Sequence, residues 1–241
     1  MARVILIASG KGGTGKTTVA AALACALCDA GRRVLAVDLD AGMGNLDIAL
    51  GMHDAALFSI AEVLSGAVAV EQAAAPVHGR EGLSLLTAPT AGYVPAADKL
   101  ASFCADMRAK DTDVILDCGA GLGDILAAAR EAADLVLVVA LPEDASLRNA
   151  SSTAQFLAQR PALKIRLVCN RIPVKRRILR RTRICIDTCM DNTGLPLAAV
   201  IPEDEGARLA TARGNVLYDN SRSSVRESVK ALAGRIISNI F

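Results

Sequence analysis

Short apolar runs rich in β-branched residues alternate with Ala-rich stretches of helical periodicity along the chain. Most runs are apolar at successive positions, which is typical of strands that helices cover on both faces of a parallel sheet. We predict strands at Arg3–Ala8, Arg33–Asp38, Leu83–Thr87, Val114–Asp117, Leu135–Ala140, Ile165–Cys169 and Leu197–Ile201. We predict helices at Lys16–Ala30, Ser59–Ser65, Asp98–Lys110, Asp124–Ala132, Ser146–Gln159, Ile184–Thr193, Glu205–Arg213 and Ser223–Ile240.

This alternation of strands and helices predicts an α/β fold, a doubly wound and mostly parallel sheet with helices on both faces. No Pro/Ser-rich linker, internal repeat or change of composition marks a boundary, so we expect residues 1–241 to form a single domain. Open sheets of this kind bind ligands outside the carboxyl ends of their strands. Candidate functional residues are therefore expected where the predicted strands end.

The first predicted strand runs directly into a glycine-rich loop that precedes a long helix. The loop reads Gly10-Lys11-Gly12-Gly13-Thr14-Gly15-Lys16-Thr17-Thr18. It satisfies the P-loop pattern, in which glycines let the backbone wrap around phosphate oxygens and the helix N-terminus attracts the anion. We predict that the loop residues bind a nucleotide, that Lys16 reaches the β- and γ-phosphates, and that Thr17 holds Mg²⁺.

Lys11, directly after the first glycine, is not demanded by the general P-loop pattern. With it the loop resembles the Lys-Gly-Gly-x-Gly-Lys-Thr signature of the deviant P-loop ATPases of the MinD/ParA class. The resemblance implies that ATP is the nucleotide, that it is hydrolysed, and that an ATP-dependent homodimer forms. It also implies that Lys11 crosses the dimer interface, where its charge neutralises the transferred phosphoryl group of the partner's nucleotide.

The second predicted strand ends in two carboxylates, Asp38 and Asp40. Because they are two residues apart, both lie on the same side of the strand. The segment that follows, through Asn45-Leu46-Asp47, resembles the MinD branch of the class. The resemblance implies that Asp40 positions the attacking water, that Asp38 supports the metal or Lys16, and that Asn45 orients water or the loop. The alternative is that both carboxylates only cap a turn.

The hydrophobic strand Val114–Asp117 also ends in a carboxylate. This is the Walker B type of strand, so we predict that Asp117 holds Mg²⁺ through water. Cys118-Gly119-Ala120-Gly121 follows, where the class has Asp-x-Pro-Ala-Gly, and Gly119 therefore stands in place of Pro. A glycine there predicts a more flexible loop.

Two further strand ends resemble the base-binding side of the class. The sixth strand is followed by Asn170 and Arg171, and the seventh by Pro202, Glu203 and Asp204. The resemblance implies that Asn170 contacts the adenine, which suits an amide that both donates and accepts hydrogen bonds. It also implies that Arg171 and the Ile-Pro-Glu-Asp loop border the nucleotide.

Composition excludes several other classes. The chain is 52% hydrophobic, which excludes a disordered protein, and its net charge of +2 argues against a protein that coats nucleic acid. Aromatic residues are 2% of the chain and Trp is absent, which disfavours base-stacking platforms. No apolar run of about 18 residues occurs, so no membrane span is predicted. The N-terminus lacks the pattern of an export signal, so a cytoplasmic location is expected.

Two segments indicate partners. Lys175–Arg183 is strongly basic, which suits contact with DNA phosphates or anionic lipid, or else a solvated face. The C-terminal helix carries an apolar stripe. Its members are Val225, Val229, Leu232, Ile236, Ile237, Ile240 and Phe241. The resemblance to MinD makes this helix a candidate membrane anchor, but its polar face has only Lys230 and Arg235, so packing into the core is favoured.

The motifs together with this resemblance thus imply a MinD-like ATPase that uses ATP and Mg²⁺ and acts in placing the division septum. An ATP-dependent homodimer and a protein activator or cargo are the expected partners, with peripheral membrane contact through the C-terminal helix or DNA contact through Lys175–Arg183 as further candidates. Alternatives are a ParA-type partition ATPase that binds non-specific DNA, and a metallochaperone or flagellar-number ATPase of the same class. A nucleotide-binding scaffold that does not hydrolyse ATP is a non-enzymatic alternative.

Overall fold

The strands form where the sequence has its short apolar runs. The computed structural model describes residues 1–52, 57–173, 186–206, 209, 216–219 and 224–241. The strands are β1 (Val4–Ala8), β2 (Arg33–Asp38), β3 (Ala75–Pro76), β4 (Leu83–Leu86), β5 (Thr112–Asp117), β6 (Leu135–Ala140), β7 (Lys164–Ile172) and β8 (Leu197–Pro202). They form one sheet in the order β3-β4-β2-β5-β1-β6-β7-β8.

Every strand pair except β3–β4 is parallel, so the predicted mostly parallel sheet is confirmed. The order brings β5 between β1 and β2, and Asp117 pairs in register with Asp38 at their carboxyl ends. Because the loops after β1, β2 and β5 leave the same edge of the sheet, the predicted nucleotide motifs meet there.

Helices cover both faces of the sheet, as the sequence predicts. They are α1 (Lys16–Asp29), α2 (Leu46–Ala49), α3 (Ile60–Ser65), α4 (Val70–Ala73), α5 (Ala97–Ala109), α6 (Asp124–Ala132), α7 (Asp144–Leu157), α8 (Ile186–Thr193) and α9 (Ser224–Ile237). Alternate residues of β1 point to opposite cores: Ile5 and Ile7 pack on the side of α1 and α9, and Val4 and Leu6 on the side of α5, α6 and α7. Burial on both faces explains why the strands are uniformly apolar.

Four short elements of the described residues are absent from the sequence prediction: β3, α2, α4 and a 3-10 helix at Leu217–Asp219. A strand of two residues and helices of three or four residues are too short for a periodic pattern to reveal them. The predicted helix Glu205–Arg213 falls largely outside the described residues. Other differences lie at element ends, for example α7, which begins at Asp144 rather than Ser146.

The C-terminal helix α9 packs into the core, as favoured above. Val225, Val229, Leu232 and Ile236 are buried against α1 and β8. The prediction is wrong for Ile237 and Ile240, which are exposed. Ile237 follows the buried Ile236 directly, so it points about 100° away from the buried stripe, and Ile240 lies beyond the end of the helix. Within the described part of the chain, no helix has the length and hydrophobicity needed to cross a membrane.

We expect Leu232→Ala to lower the free energy of unfolding by about 2–5 kcal/mol, because Leu232 is fully buried and the truncation leaves a cavity. The matched change Ile240→Ala, at an exposed position, should alter it by less than about 0.5 kcal/mol. Urea unfolding followed by circular dichroism measures both. Equal stability of the two variants would contradict a core role for α9.

Candidate functional site

The glycine-rich loop connects β1 to α1 at the carboxyl edge of the sheet. Gly13 and Gly15 have φ values of 78° and 90°, a left-handed backbone that favours glycine. Thr14 and Lys16 are buried, whereas Lys11 and Gly12 are exposed. The Thr14 hydroxyl oxygen has no hydrogen-bond partner among the described residues, so it remains an unsatisfied group beneath the loop. The first turn of α1 begins at Lys16, which places the helix N-terminus at the loop.

Two asparagines from distant elements lie against glycines of the loop. A Cβ atom on Gly10 would lie 2.4 Å from the backbone oxygen of Asn149 in α7. A Cβ atom on Gly15 would lie 2.4 Å from Nδ2 of Asn170 at the end of β7. These glycines are therefore required by packing within the protein as well as by access to phosphate. Asn149 was missed by the sequence analysis, because nothing in the local pattern of α7 marks its contact with the loop.

Asp117 lies beside the first turn of α1, at the end of β5. It is buried, and burial raises its pKa to about 7, although a hydrogen bond from the Thr17 hydroxyl and the charge of Lys16 lower it. Its Oδ1 has no hydrogen-bond partner in the described residues. Carboxylate and hydroxyl oxygens are the ligands that Mg²⁺ prefers, so this pair fits the predicted ion. The buried, partly unsatisfied carboxylate is the observation that supports a metal here.

Asp38, at the end of β2, lies next to Asp117 in the sheet. Both oxygens of its carboxylate accept hydrogen bonds from the loop that follows β2. Oδ1 accepts a hydrogen bond from the Asp40 amide at 2.9 Å, and Oδ2 accepts one from the Leu46 amide at 3.0 Å. Burial raises the pKa of Asp38, while these two hydrogen bonds lower it. The contacts give Asp38 a role in fixing the loop between residues 39 and 46, and its predicted support of the metal or of Lys16 stays a prediction.

The loop between residues 39 and 46 packs on the segment that follows β4. The Gly42 amide donates to the Pro89 carbonyl at 3.0 Å. A Cβ atom on Gly44 would lie 2.4 Å from the Ala88 side chain and 2.7 Å from Oδ2 of Asp38. The segment Ala88–Ala91 is thus a wall of the site that the sequence analysis missed. Its only signal was its place after a predicted strand.

Asp40 and Asn45 lie in the same loop but face different surroundings. Asp40 is half-buried, and a Cβ atom on Gly119 would lie 2.9 Å from its Oδ1. The glycine that stands in place of Pro therefore leaves room for the Asp40 carboxylate, a reason beyond loop flexibility. Asn45 is exposed and its amide donates to the Met43 carbonyl at 2.6 Å. Its predicted role in orienting water or the loop stays a prediction.

The predicted base-binding residues meet at the ends of β7 and β8. Ile172 pairs in register with Pro202, and the Glu203 amide donates to the Ile172 carbonyl at 2.8 Å. Asn170 is buried, Arg171 and Glu203 are exposed, and Asp204 is half-buried. The structure thus brings these residues to one place at the sheet edge. The basic segment Lys175–Arg183 lies outside the described residues.

A loop of this shape binds phosphate, and a buried carboxylate beside its threonine suits a magnesium ion. The fold and the site therefore define a P-loop protein that binds a nucleoside triphosphate. A doubly wound sheet with the loop after its first strand is the architecture that such proteins use.

Comparison with known proteins agrees with this class. Residues 5–217 match the model of the CobQ/CobB/MinD/ParA nucleotide-binding domain. The septum site-determining protein MinD of Synechocystis sp. is 30% identical over 227 residues, which are 93% of this chain and 85% of that protein.

Solved structures of two MinD proteins have the same fold. MinD of Pyrococcus horikoshii, solved as a complex with Mg-ADP, has a TM-score of 0.84 and 31% identity, with 100% of this chain and 98% of that chain covered. MinD of Aquifex aeolicus, in a MinC:MinD complex, has a TM-score of 0.89 and 29% identity, with 98% and 96% covered. The chain therefore belongs to the MinD family of P-loop ATPases.

Proposed function

We propose that residues 1–241 act as one ATPase domain and as a reversible switch in the placement of the division septum. Binding of ATP and Mg²⁺ would join two copies, and hydrolysis to ADP and phosphate would separate them, so the dimer itself is the signal. The contrast between the two P-loop lysines carries this proposal. Lys16 is buried within its own site, whereas Lys11 is exposed beside it.

The phosphates would be held by the loop amides, Lys16 and the Thr18 hydroxyl. Bound Mg²⁺ supplies positive charge that offsets the charge on the phosphate oxygens. Thr17 and Asp117 are the residues best placed to hold it, because their hydrogen bond already joins them beside the loop. Asp38 would contribute by keeping the neighbouring loop in position.

In the dimer, Lys11 would reach the phosphates bound by the partner subunit. An exposed lysine on an exposed stretch of loop can do this without breaking side-chain contacts: within the described residues, Lys11 is bonded only through its backbone oxygen, which accepts a hydrogen bond from the Ser9 hydroxyl at 3.0 Å. Apolar side chains are exposed around the same edge, among them Met43, Leu57 and Leu122. Covering them with a second copy would remove apolar surface from water.

Hydrolysis would form a bond from a water oxygen to the γ-phosphorus and break the bond from that phosphorus to the β–γ bridging oxygen. ADP leaves with the bridging oxygen, and the remaining product is phosphate. Asp40 would orient the water, because its carboxylate is half-buried next to the Walker B loop. Asn45 would take part only after its loop rearranges on dimer formation, since its amide is now bound to the Met43 carbonyl.

A protein partner that recognises the dimer completes the proposal. It is supported by the Aquifex relative, which was solved as a MinC:MinD complex. Membrane contact through α9 loses support because most of its apolar stripe is buried in the core. Contact with DNA through Lys175–Arg183 has no support from the described residues.

We expect Lys11→Ala to leave ATP binding to the monomer nearly unchanged and to abolish ATP-dependent dimerisation. The charge that Lys11 would bring to the partner's phosphates is lost, while the buried Lys16 still serves its own site. Light scattering with ATP or ADP measures the dimer, and equilibrium titration with a fluorescent ATP analogue measures binding.

Lys99→Ala is the matched control, since Lys99 is an exposed lysine on α5. It should dimerise like the wild-type protein. A stable ATP dimer of Lys11→Ala would rule out the role of Lys11 across the interface. A wild-type protein that stays monomeric with ATP would overturn the proposed switch as a whole.

A further inference from the structure

Asn170 is bonded to the phosphate-binding loop from a strand far away in the sequence. Its Nδ2 donates to the Thr14 carbonyl at 2.7 Å, and both groups are buried. Thr14 and Asn170 are separated by 156 positions in the chain. A hydrogen bond in this setting is costly to remove, because the Thr14 carbonyl would be left buried without its partner.

The orientation of the Asn170 side chain is fixed by both of its ends. Oδ1 accepts a hydrogen bond from the Arg171 amide at 2.9 Å, and only the opposite end can donate to the Thr14 carbonyl. Reversing the amide would place oxygen against oxygen and nitrogen against N–H. Nδ2 of Asn170 is therefore directed at the Thr14 carbonyl of the loop.

The backbone around Asn170 departs from regular strand geometry in a way that serves this contact. The register with β8 shifts between Cys169 and Ile172, which places an irregularity at residues 170 and 171. Arg171 has a φ of 53°, a left-handed conformation that is uncommon for a residue other than glycine. A strained bulge of this kind re-aims a side chain, and here the re-aimed side chain meets the P-loop.

Gly15 makes the contact tighter. A Cβ atom at this position would lie 2.4 Å from Nδ2 of Asn170, which is closer than two such atoms can approach. The backbone of Gly15, at φ 90°, therefore runs directly over the Asn170 amide, immediately before the first residue of α1. Displacing Asn170 would release the turn that aims the loop amides and Lys16 at the phosphates.

We propose that Asn170 is a positioning residue for phosphate binding, which holds the P-loop in its binding shape through the Thr14 carbonyl. This deepens the proposed function and rests on it. The role differs from an adenine contact in one measurable respect. A residue that shapes the loop affects every ligand that carries a triphosphate, whereas a base contact affects only ligands that carry the base.

The test compares three ligands, each with Mg²⁺: ATP, GTP and inorganic tripolyphosphate. Asn170→Asp keeps the shape and the acceptor for the Arg171 amide, but turns an oxygen towards the Thr14 carbonyl in place of a donor. We expect this variant to bind all three ligands about tenfold or more weakly than the wild-type protein. The ratio of the ATP and tripolyphosphate affinities should change much less than either affinity.

Asn239→Asp is the control for added negative charge. Asn239 lies after α9, and its Oδ1 accepts from Arg3 at 2.5 Å, a contact that the carboxylate preserves. Arg3 precedes β1, so this contact is at the sheet edge opposite the P-loop. The control should bind the three ligands like the wild-type protein. Thermal unfolding of both variants checks that they are folded.

Asn170→Ser gives the same comparison without a charge, because serine is too short to reach the Thr14 carbonyl. It decides the matter if Asn170→Asp does not fold. Loss of ATP affinity with tripolyphosphate affinity unchanged would overturn the proposal and leave a base contact. Unchanged affinity for every ligand would overturn it too. A wild-type protein that binds none of the three would overturn the proposed function, and this inference with it.

Discussion

Replacing Asp40 with alanine is expected to lower the ATP turnover rate by about a hundredfold or more while ATP binding and dimer formation persist. Asp40 follows β2 by two residues, and its amide is held by Oδ1 of Asp38 at 2.9 Å. Its carboxylate lies against Gly119 in the loop after β5, next to the Walker B residue. Because this carboxylate is not part of the P-loop, its loss should impair the orientation of the attacking water and leave the affinity for ATP nearly unchanged.

Steady-state phosphate release and light scattering measure turnover and dimer in the same samples. Asp47→Ala is the matched control, since it removes the same charge from the same segment, where the Asp47 carboxylate accepts from the Ile48 amide at 2.7 Å. Its turnover should stay close to that of the wild-type protein. Unchanged turnover in Asp40→Ala would remove Asp40 from the mechanism.

Gly119→Ala tests the role of the Asp40 carboxylate without replacing Asp40 itself. The added Cβ atom would lie 2.9 Å from Oδ1 of Asp40, so the Asp40 side chain must move. A smaller fall in turnover in the same direction is therefore expected. Gly123→Ala serves as the control, because a Cβ atom there meets nothing within 4 Å.

Asp117→Asn is expected to have two opposite effects. Mg²⁺-dependent ATP hydrolysis should collapse, because a neutral amide is a much poorer partner for the ion than a carboxylate. The nucleotide-free protein should become more stable at pH 8, by roughly 1–3 kcal/mol, because the substitution removes a charge that is buried at a cost. Thermal unfolding without ligands and phosphate release with Mg²⁺-ATP measure the two effects.

The stability effect has a definite pH window. Burial raises the pKa of Asp117 from 3.8 to about 7 in the folded protein. Between these values the folded state keeps the proton that the unfolded state has released, so the stability of the wild-type protein falls as pH rises through the window. The advantage of Asp117→Asn should therefore be full above about pH 7 and small near pH 4.

Asp113→Asn provides the contrast on the same strand. Asp113 is also buried, but it accepts hydrogen bonds from the Arg32 side chain and the Arg3 amide, both at 2.8 Å. Replacing this buried carboxylate with a neutral amide removes its ion pair with Arg32, so the substitution should destabilise the protein at pH 8. If both substitutions destabilise equally, burial of Asp117 as a charge carries no cost, and the pH prediction is wrong.

Much of the site could be predicted because its chemistry follows the strand order. The P-loop directly after β1, and the carboxylates at the ends of β2 and β5, are local patterns. A doubly wound sheet then brings consecutive strand ends to one edge without further information. Asp38, Asp40 and Asp117 were predicted in this way, and the comparisons confirm the nucleotide-binding family, of which one MinD relative was solved with Mg-ADP.

Elements without a local pattern could not be found. The two-residue strand β3 exists only because it pairs with β4 in antiparallel register. The segment Ala88–Ala91 becomes a wall of the site only because Gly42 and Gly44 pack on it. The motif that contains Asn45 did not indicate that its amide donates to the Met43 carbonyl, since a motif does not state which way a loop folds.

The sequence by itself determined the fold class, the nucleotide loop and the order of the acidic strand ends, because periodicity and short motifs record what each segment does locally. Only the tertiary structure decided what the distant segments do to one another. It placed most of the α9 stripe in the core, set Gly119 against Asp40, and joined Asn170 to Thr14 across the sheet. Such contacts depend on the packing of whole elements, which the composition of a single segment does not encode.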